Sequence, residues 1–264
     1  MRKGKVHIGT SGWSYKDWKG LFYPKNLKSN EWLTFYSETF NITEINTSFY
    51  HLPKKQTVEG WVNKVPDNFL FCPKMSRYLT HMKKLHDPEE PLERFFEVFE
   101  PMKEKMGPVL IQLPPSLKFN PEVTEHLFTI LKKTYSSFRF ALEVRHATWM
   151  TAESMDLMTK YKIAFVISQS GHGFPYAEHI TAQDIYIRFH GPGKLYASLY
   201  SEEEMKKYAQ LFKSWQDEGH TLWIFFNNDF YGYAIKNGLQ LEDLLNPGRA
   251  KTKERSHGQV LTLF

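Results

Sequence analysis

The chain has 264 residues, 41% hydrophobic and 16% aromatic, and a formal net charge of +5. That length fits one large α/β domain or two small ones, and the charge leans mildly towards anionic partners. A single cysteine, Cys72, excludes an internal disulfide and any cysteine-based metal cluster; it suits a reducing cytosol, so a cytoplasmic location is expected.

The first residues, MRKGKVHIGT, are charged without a following apolar stretch, and are not read as a signal peptide. No run of about 18 apolar residues is present to span a membrane. Beyond the start, β-rich runs at 5–9, 42–47, 69–74, 109–113, 138–145, 163–168, 185–190 and 221–226 alternate with helical stretches. The helices are expected at 30–39, 56–64, 91–105, 121–133, 152–161, 202–218 and 233–245. Asn120 followed by Pro121, and Ser201 followed by three glutamates, are helix-start signals. Eight strands alternating with helices predict a parallel sheet, and eight such units close a single TIM-like (β/α)8 barrel over residues 1–246. Residues 247–264 read as a polar tether and an apolar tail.

The run IYIRFHG, residues 185–191, locates the chemistry. Ile185, Ile187 and Phe189 alternate with Tyr186, Arg188 and His190, so one strand face is oily and the other carries a phenol, a guanidinium and an imidazole. In a barrel the oily face meets the helices and the other meets the axis, where strand C-terminal ends form the site. By the same parity Glu143 and Arg145 face inward from the fifth strand, Glu44 and Asn46 end the second, Lys74 the third and Gln112 the fourth. Asn227 and Asn228, with Asp229, end the eighth. The bland alternatives are solvated strand ends, or Glu44 and Glu143 neutralising Arg145 and Arg188 inside the barrel.

The motifs IGTSGWSYKDWKGLFYP, TEINTSFYHLP, RYLTHMKKL, GPVLIQLPPSLKF, FALEVRHATW, IYIRFHG and IFFNNDFYGYAIKN together resemble the YecE-like family, a domain of unknown function. The resemblance runs from about Ile8 to Leu245 and implies a TIM-like barrel with no settled activity. One departure is VISQSGHGFP, where Gln169 and Ser170 stand in place of an expected aspartate.

The residues best fit an anion clamp. Lys74, Arg77, Arg145 and Arg188, with Lys194 in the loop HGPGKLY, are suited to phosphate or carboxylate. Asn46, Gln112, Asn227 and Asn228 are the neutral ligand-binding candidates. Gly191 and Gly193 would let the backbone approach a ligand. Glu143, His190 and Glu44 are the candidate acid/base residues. Trp13, Tyr15, Trp18, Phe49, Tyr50 and Trp149 frame the same end, either stacking on bases or sugars or packing loops on the rim; packing is the reading for Trp18 and Trp149. A divalent metal held by His190, Glu143, Glu44 or Asp229 is not favoured beside so many cations, and cofactors are left open. The expectation is a phosphate-handling enzyme or binder for a nucleotide, nucleic acid or sugar phosphate. The alternatives are a non-catalytic nucleic-acid-binding protein and a glycoside-type hydrolase using Glu44 and Glu143. The tail QVLTLF approximates the peptide that docks on bacterial sliding clamps, with Gln259, Leu263 and Phe264 as its anchors.

Overall fold

In the computed structural model of the chain, residues 3–171 and 173–247 are described. The tail that carries Gln259, Leu263 and Phe264 lies outside the described residues. The strands are β1 (Val6–Thr10), β2 (Ile42–Ile45), β3 (Leu70–Pro73), β4 (Val109–Gln112), β5 (Phe140–Glu143), β6 (Ala164–Gln169), β7 (Asp184–Phe189) and β8 (Thr221–Phe226). The helices are α1 (Trp32–Thr39), α2 (Thr47–Tyr50), α3 (Lys55–Val62), α4 (Glu89–Phe99), α5 (Pro121–Thr134), α6 (Ala152–Tyr161), α7 (Glu202–Asp217) and α8 (Tyr233–Leu245).

Hydrogen bonding orders the strands β3-β2-β1-β8-β7-β6-β5-β4. The two end members meet in turn, through parallel bridges from Phe71 to Met106 and from Lys74 to Leu110. Registers are parallel throughout β1–β8, from Val6 opposite Leu222 to Thr10 opposite Phe226, and throughout β4–β5, from Val109 opposite Phe140 to Gln112 opposite Glu143. The fold class is the expected TIM-like (β/α)8 barrel. Parallel strands of this class are covered on both faces, which is why β8 reads TLWIFF with five of its six residues buried.

The chain falls into two compact units, one comprising the chain up to Thr43, Gln169–Gly173 and the chain from Ile187, the other Glu44–Ser168 and Phe174–Tyr186. In the first unit Phe189 packs on Tyr208 and Phe212 of α7 and stacks on Phe226 of β8 at 4.9 Å. The oily face of β7 therefore meets the helices, as its alternation requires. Gly9 has no substitute here, since a Cβ would lie 2.1 Å from the Ile42 carbonyl oxygen. In the second unit Phe96 of α4 stacks on Tyr135 and leans on Phe138, with Phe140 of β5 edge-on.

Element ends show where local chemistry governs. The helix expected over 91–105 stops at Phe99 and continues as a 3-10 stretch, Glu100–Lys105, because Pro101 has no N–H to bond one turn back. The strand expected over 138–145 is only Phe140–Glu143, leaving Arg145 just past the ladder. The β6–β7 connection has no helix among its described residues; Thr181 anchors it to β6, its Oγ1 accepting from Phe165 N at 2.8 Å and donating to Ile163 O at 2.6 Å. Both expected caps form: Asn120 Oδ1 accepts from Val123 N at 3.1 Å. Ser201 and Glu204 make a reciprocal capping box at the start of α7. Ser201→Ala is expected to lower unfolding free energy by about 1 kcal/mol in a urea titration; an unchanged midpoint would mean that the cap contributes nothing.

Candidate functional site

The polar face of IYIRFHG is not solvent. Tyr186, Arg188 and His190 are all buried, and in the second unit Tyr186 donates to Glu44 Oε1 at 2.8 Å. A fully buried carboxylate needs such donors, since desolvation otherwise disfavours its charge.

The rest of the second unit's candidates gather at the ends of β3, β4 and β5. Lys74 follows β3; its Nζ donates to Gln112 Oε1 at 2.7 Å and lies 4.1 Å from the centre of the Phe49 ring. Arg145, two residues past β5, forms an ion pair with the fully buried Glu143 and lies flat over Phe174, its guanidinium carbon 3.3 Å from the ring centre. Ser168 Oγ donates to Glu143 Oε1 at 3.4 Å. Arg145 Nε is itself buried and has no acceptor among the described residues. Asn46 is half-buried at the start of α2, its carbonyl accepting from Phe49 N at 3.2 Å.

His81 ties these cations together, and sequence reasoning did not select it. Its ring edges Phe49 at 4.9 Å, and its Nδ1 pairs with Thr80 Oγ1 at 2.8 Å. Burial, followed by Lys74, Arg77 and Arg145, lowers its pKa from 6.5 to about 4. Three cations thus act on one imidazole. Arg77 itself is exposed. His81 lies in a π-type turn, Tyr78–Met82, closed by Lys83 N donating to Tyr78 O at 2.8 Å. Just beyond, Lys84, Leu85 and Asp87 all hold positive φ, at 50°, 72° and 41°. Such backbone is costly for residues with a Cβ and clusters at functional sites. The turn falls within RYLTHMKKL, one of the motifs that carry the family resemblance, but neither its register nor the neighbours of His81 follow from local pattern.

The low pKa fixes a pH dependence. As pH falls the unfolded His81 takes a proton near 6.5 and the folded one only near 4, so its contribution to stability is complete above 6.5 and declines towards 4. His81→Gln is expected to flatten that part of the stability–pH curve measured by urea unfolding; identical curves for variant and parent would remove His81 as the cause.

In the first unit Arg188 is 2% exposed, and its Nη2 donates to Ser11 Oγ at 3.5 Å. His190 Nδ1 lies 2.9 Å from Asn227 Nδ2. Asn228, a ligand-binding candidate, donates its amide nitrogen to Ser198 O at 2.9 Å and Asn237 Oδ1 at 3.0 Å. Lys194 is exposed, and its carbonyl accepts from Ser198 Oγ at 2.8 Å. The glycine amides of that loop are also engaged: Gly191 N donates to Tyr200 Oη at 2.9 Å and Gly193 N to Ser198 Oγ at 3.1 Å. They hold the loop rather than offering a phosphate cradle. Gly191 is needed for its φ of 103°. Burial pushes the Tyr200 phenol up from its ordinary pKa, and it donates to the Gln169 side chain. Gln169, where an aspartate was expected, is therefore the acceptor that holds Tyr200.

Trp18 and Trp149 pack the rim, as read from the sequence. Both are buried, with indole N–H groups donating to Asp229 O at 3.0 Å and Leu117 O at 2.9 Å. Asp229 also accepts from Tyr15 Oη at 2.9 Å. Among the described residues no group of three or more His, Cys, Asp or Glu side chains is placed to hold a metal. No helix among them is long and apolar enough to cross a membrane.

Comparison with known proteins places this arrangement. The family described as "Protein of unknown function DUF72" matches residues 7–259. UPF0759 protein YunF of Bacillus subtilis is 26% identical over 91% of the chain and 95% of its own length. UPF0759 protein YecE of Escherichia coli K12 is 30% identical over 53% of the chain and 48% of its own length. A crystal structure of a DUF72 family protein from Thermotoga maritima superposes with a TM-score of 0.79 at 32% identity, covering 91% of this chain and 99% of that one. One from Enterococcus faecalis at 22% identity gives the same TM-score and supports the fold. With a match that spans nearly all of the barrel, the chain belongs to the DUF72 family.

Proposed function

We propose that the chain binds the phosphate of a nucleotide, nucleic acid or sugar phosphate at the cluster formed by Lys74, Arg77 and Arg145. The observation that carries this reading is Arg145 Nε, a buried donor without an acceptor among the described residues, in a cluster whose cations already act on His81. A buried N–H left unsatisfied costs about 1–3 kcal/mol, and an anionic oxygen placed there recovers it while neutralising the cluster. Phe49 and Phe174, beneath Lys74 and Arg145, keep both cations in place without cancelling their charge.

The reading is of a binder before a catalyst. Glu143, one of the expected acid/base residues, is ion-paired to Arg145, and Glu44 accepts from Tyr186.

The test follows His81 by NMR while inorganic phosphate is added. A bound anion favours the imidazolium, so the His81 pKa is expected to rise from about 4. Binding is expected to weaken with added salt. Arg77→Ala, which removes the exposed cation, should weaken binding only about 2- to 5-fold. A His81 resonance that ignores phosphate, with no heat of binding, would overturn the reading.

A further inference from the structure

Beside the cation cluster, within the second unit, lies a cavity of about 360 Å³ lined by Tyr50, His51, Leu52, Ser76, Tyr78 and Arg94. A short chain of contacts leads into it. Lys74 lies over Phe49, Phe49 meets Tyr50 edge-to-face at 5.0 Å, and Tyr50 lines the cavity wall. Tyr78, also in the cavity lining, follows Arg77 directly in sequence.

Tyr50 and Tyr78 are 61% and 39% exposed; Tyr176 and Tyr231 are exposed as well, but Tyr50 and Tyr78 line one cavity together. Both rings present exposed surface at the cavity, with Lys83 Nζ 5.9 Å from the centre of the Tyr78 ring. Arg94, on α4, bonds Glu90 at 3.1 Å but stays mostly exposed at the cavity edge. Two open phenol rings, an apolar contribution from Leu52, and donors from Ser76 and Arg94 suit a flat heteroaromatic ring held by stacking and recognised at its edge. The volume is at the lower end of the roughly 300–1,000 Å³ of small-molecule sites, enough for a base with its sugar.

We propose that this cavity is a nucleobase subsite, and that the anion held by Lys74, Arg77 and Arg145 is a phosphate of an unpaired nucleotide. The inference rests on the phosphate reading above and narrows it. A base seated in this cavity and stacked on a tyrosine ring is not paired with a complementary strand, so the ligand is a free nucleotide or a single strand rather than a duplex.

The experiment titrates the full chain with inorganic phosphate, ribose 5-phosphate, thymidine monophosphate, single-stranded oligothymidylate and the same oligonucleotide annealed to oligoadenylate. Tyr50→Ala and Tyr78→Ala are each expected to weaken the two thymidine ligands by about 5- to 150-fold and to leave inorganic phosphate unchanged. Tyr50→Phe should restore binding, because the ring and not the hydroxyl does the stacking. The ratio of oligothymidylate to monophosphate affinity reports which source the site takes, and the duplex should bind more weakly than its single strand. If both alanine variants bind thymidine ligands like the parent while phosphate still binds, or ribose 5-phosphate binds as tightly as thymidine monophosphate, the nucleobase subsite is wrong and the phosphate reading stands. If inorganic phosphate and every other ligand fail to bind the parent chain, the phosphate reading falls first and this one with it.

Discussion

Arg145→Met is expected to lower the unfolding free energy by about 3–5 kcal/mol in a urea titration, because it removes the cation against which the fully buried Glu143 carboxylate is paired. The same substitution removes the guanidinium from the proposed anion cluster, so lost binding alone would be ambiguous. The double variant Glu143→Gln with Arg145→Met resolves it. Without the carboxylate there is no buried charge to leave behind, and most of the stability should return. Phosphate binding should not, since the donor at Nε is still gone. A double variant that is stable and binds phosphate like the parent would make the Glu143–Arg145 pair purely structural. A single variant as stable as the parent would mean that the pair contributes nothing net, as buried ion pairs sometimes do when hydrophobic groups replace them.

The fold was legible because its signals are local and repeated. Strand runs such as IYIRFHG and TLWIFF, caps such as Asn120–Pro121 and the box at Ser201 each need only a few neighbouring residues, and the structure bears out all of them. Parity also placed Tyr186, Arg188, Glu143 and Glu44 off the helix-facing side, and all four are buried. What parity could not show is how each polar group is used. Glu143 and Arg145 are two residues apart, yet their pairing depends on the chain leaving β5 so that Arg145 folds back over it. Asn228 and Asn227 look alike in sequence. One turns towards Asn237 and Ser198, the other towards His190, and only tertiary packing distinguishes them. The amides of Gly191 and Gly193 read as open to a ligand because their acceptors, Tyr200 and Ser198, arrive from later in the loop. His81 was illegible for a related reason. A π-type turn and three positive-φ residues set its position, and the motif RYLTHMKKL that covers most of them does not show what His81 touches.

Asn237 ends the motif IFFNNDFYGYAIKN, which does not show what its side chain holds, and its replacement is expected to have the second large effect. It lies inside α8, fully buried, where an asparagine would ordinarily weaken the helix. Its Oδ1 accepts from Tyr200 N at 3.1 Å and Asn228 Nδ2 at 3.0 Å; its Nδ2 donates to Tyr200 O at 3.1 Å. One side chain thus satisfies both backbone groups of Tyr200, whose hydroxyl in turn holds Gly191 N and the Gln169 side chain. Asn237→Leu keeps the branched shape and raises helix propensity, but it costs about 1–3 kcal/mol for each buried polar group it leaves unmet. A urea titration should show that loss. Hydrogen exchange should show the Gly191 and Tyr200 amides opening more readily than those of β8, because the stitch is local to the loop after β7. If Asn237→Leu is as stable as the parent, the network is dispensable and the loop after β7 is held by its glycine and serine contacts alone. If stability falls while the Gly191 and Tyr200 amides stay protected, the loss comes from α8 packing and not from the loop it was argued to hold.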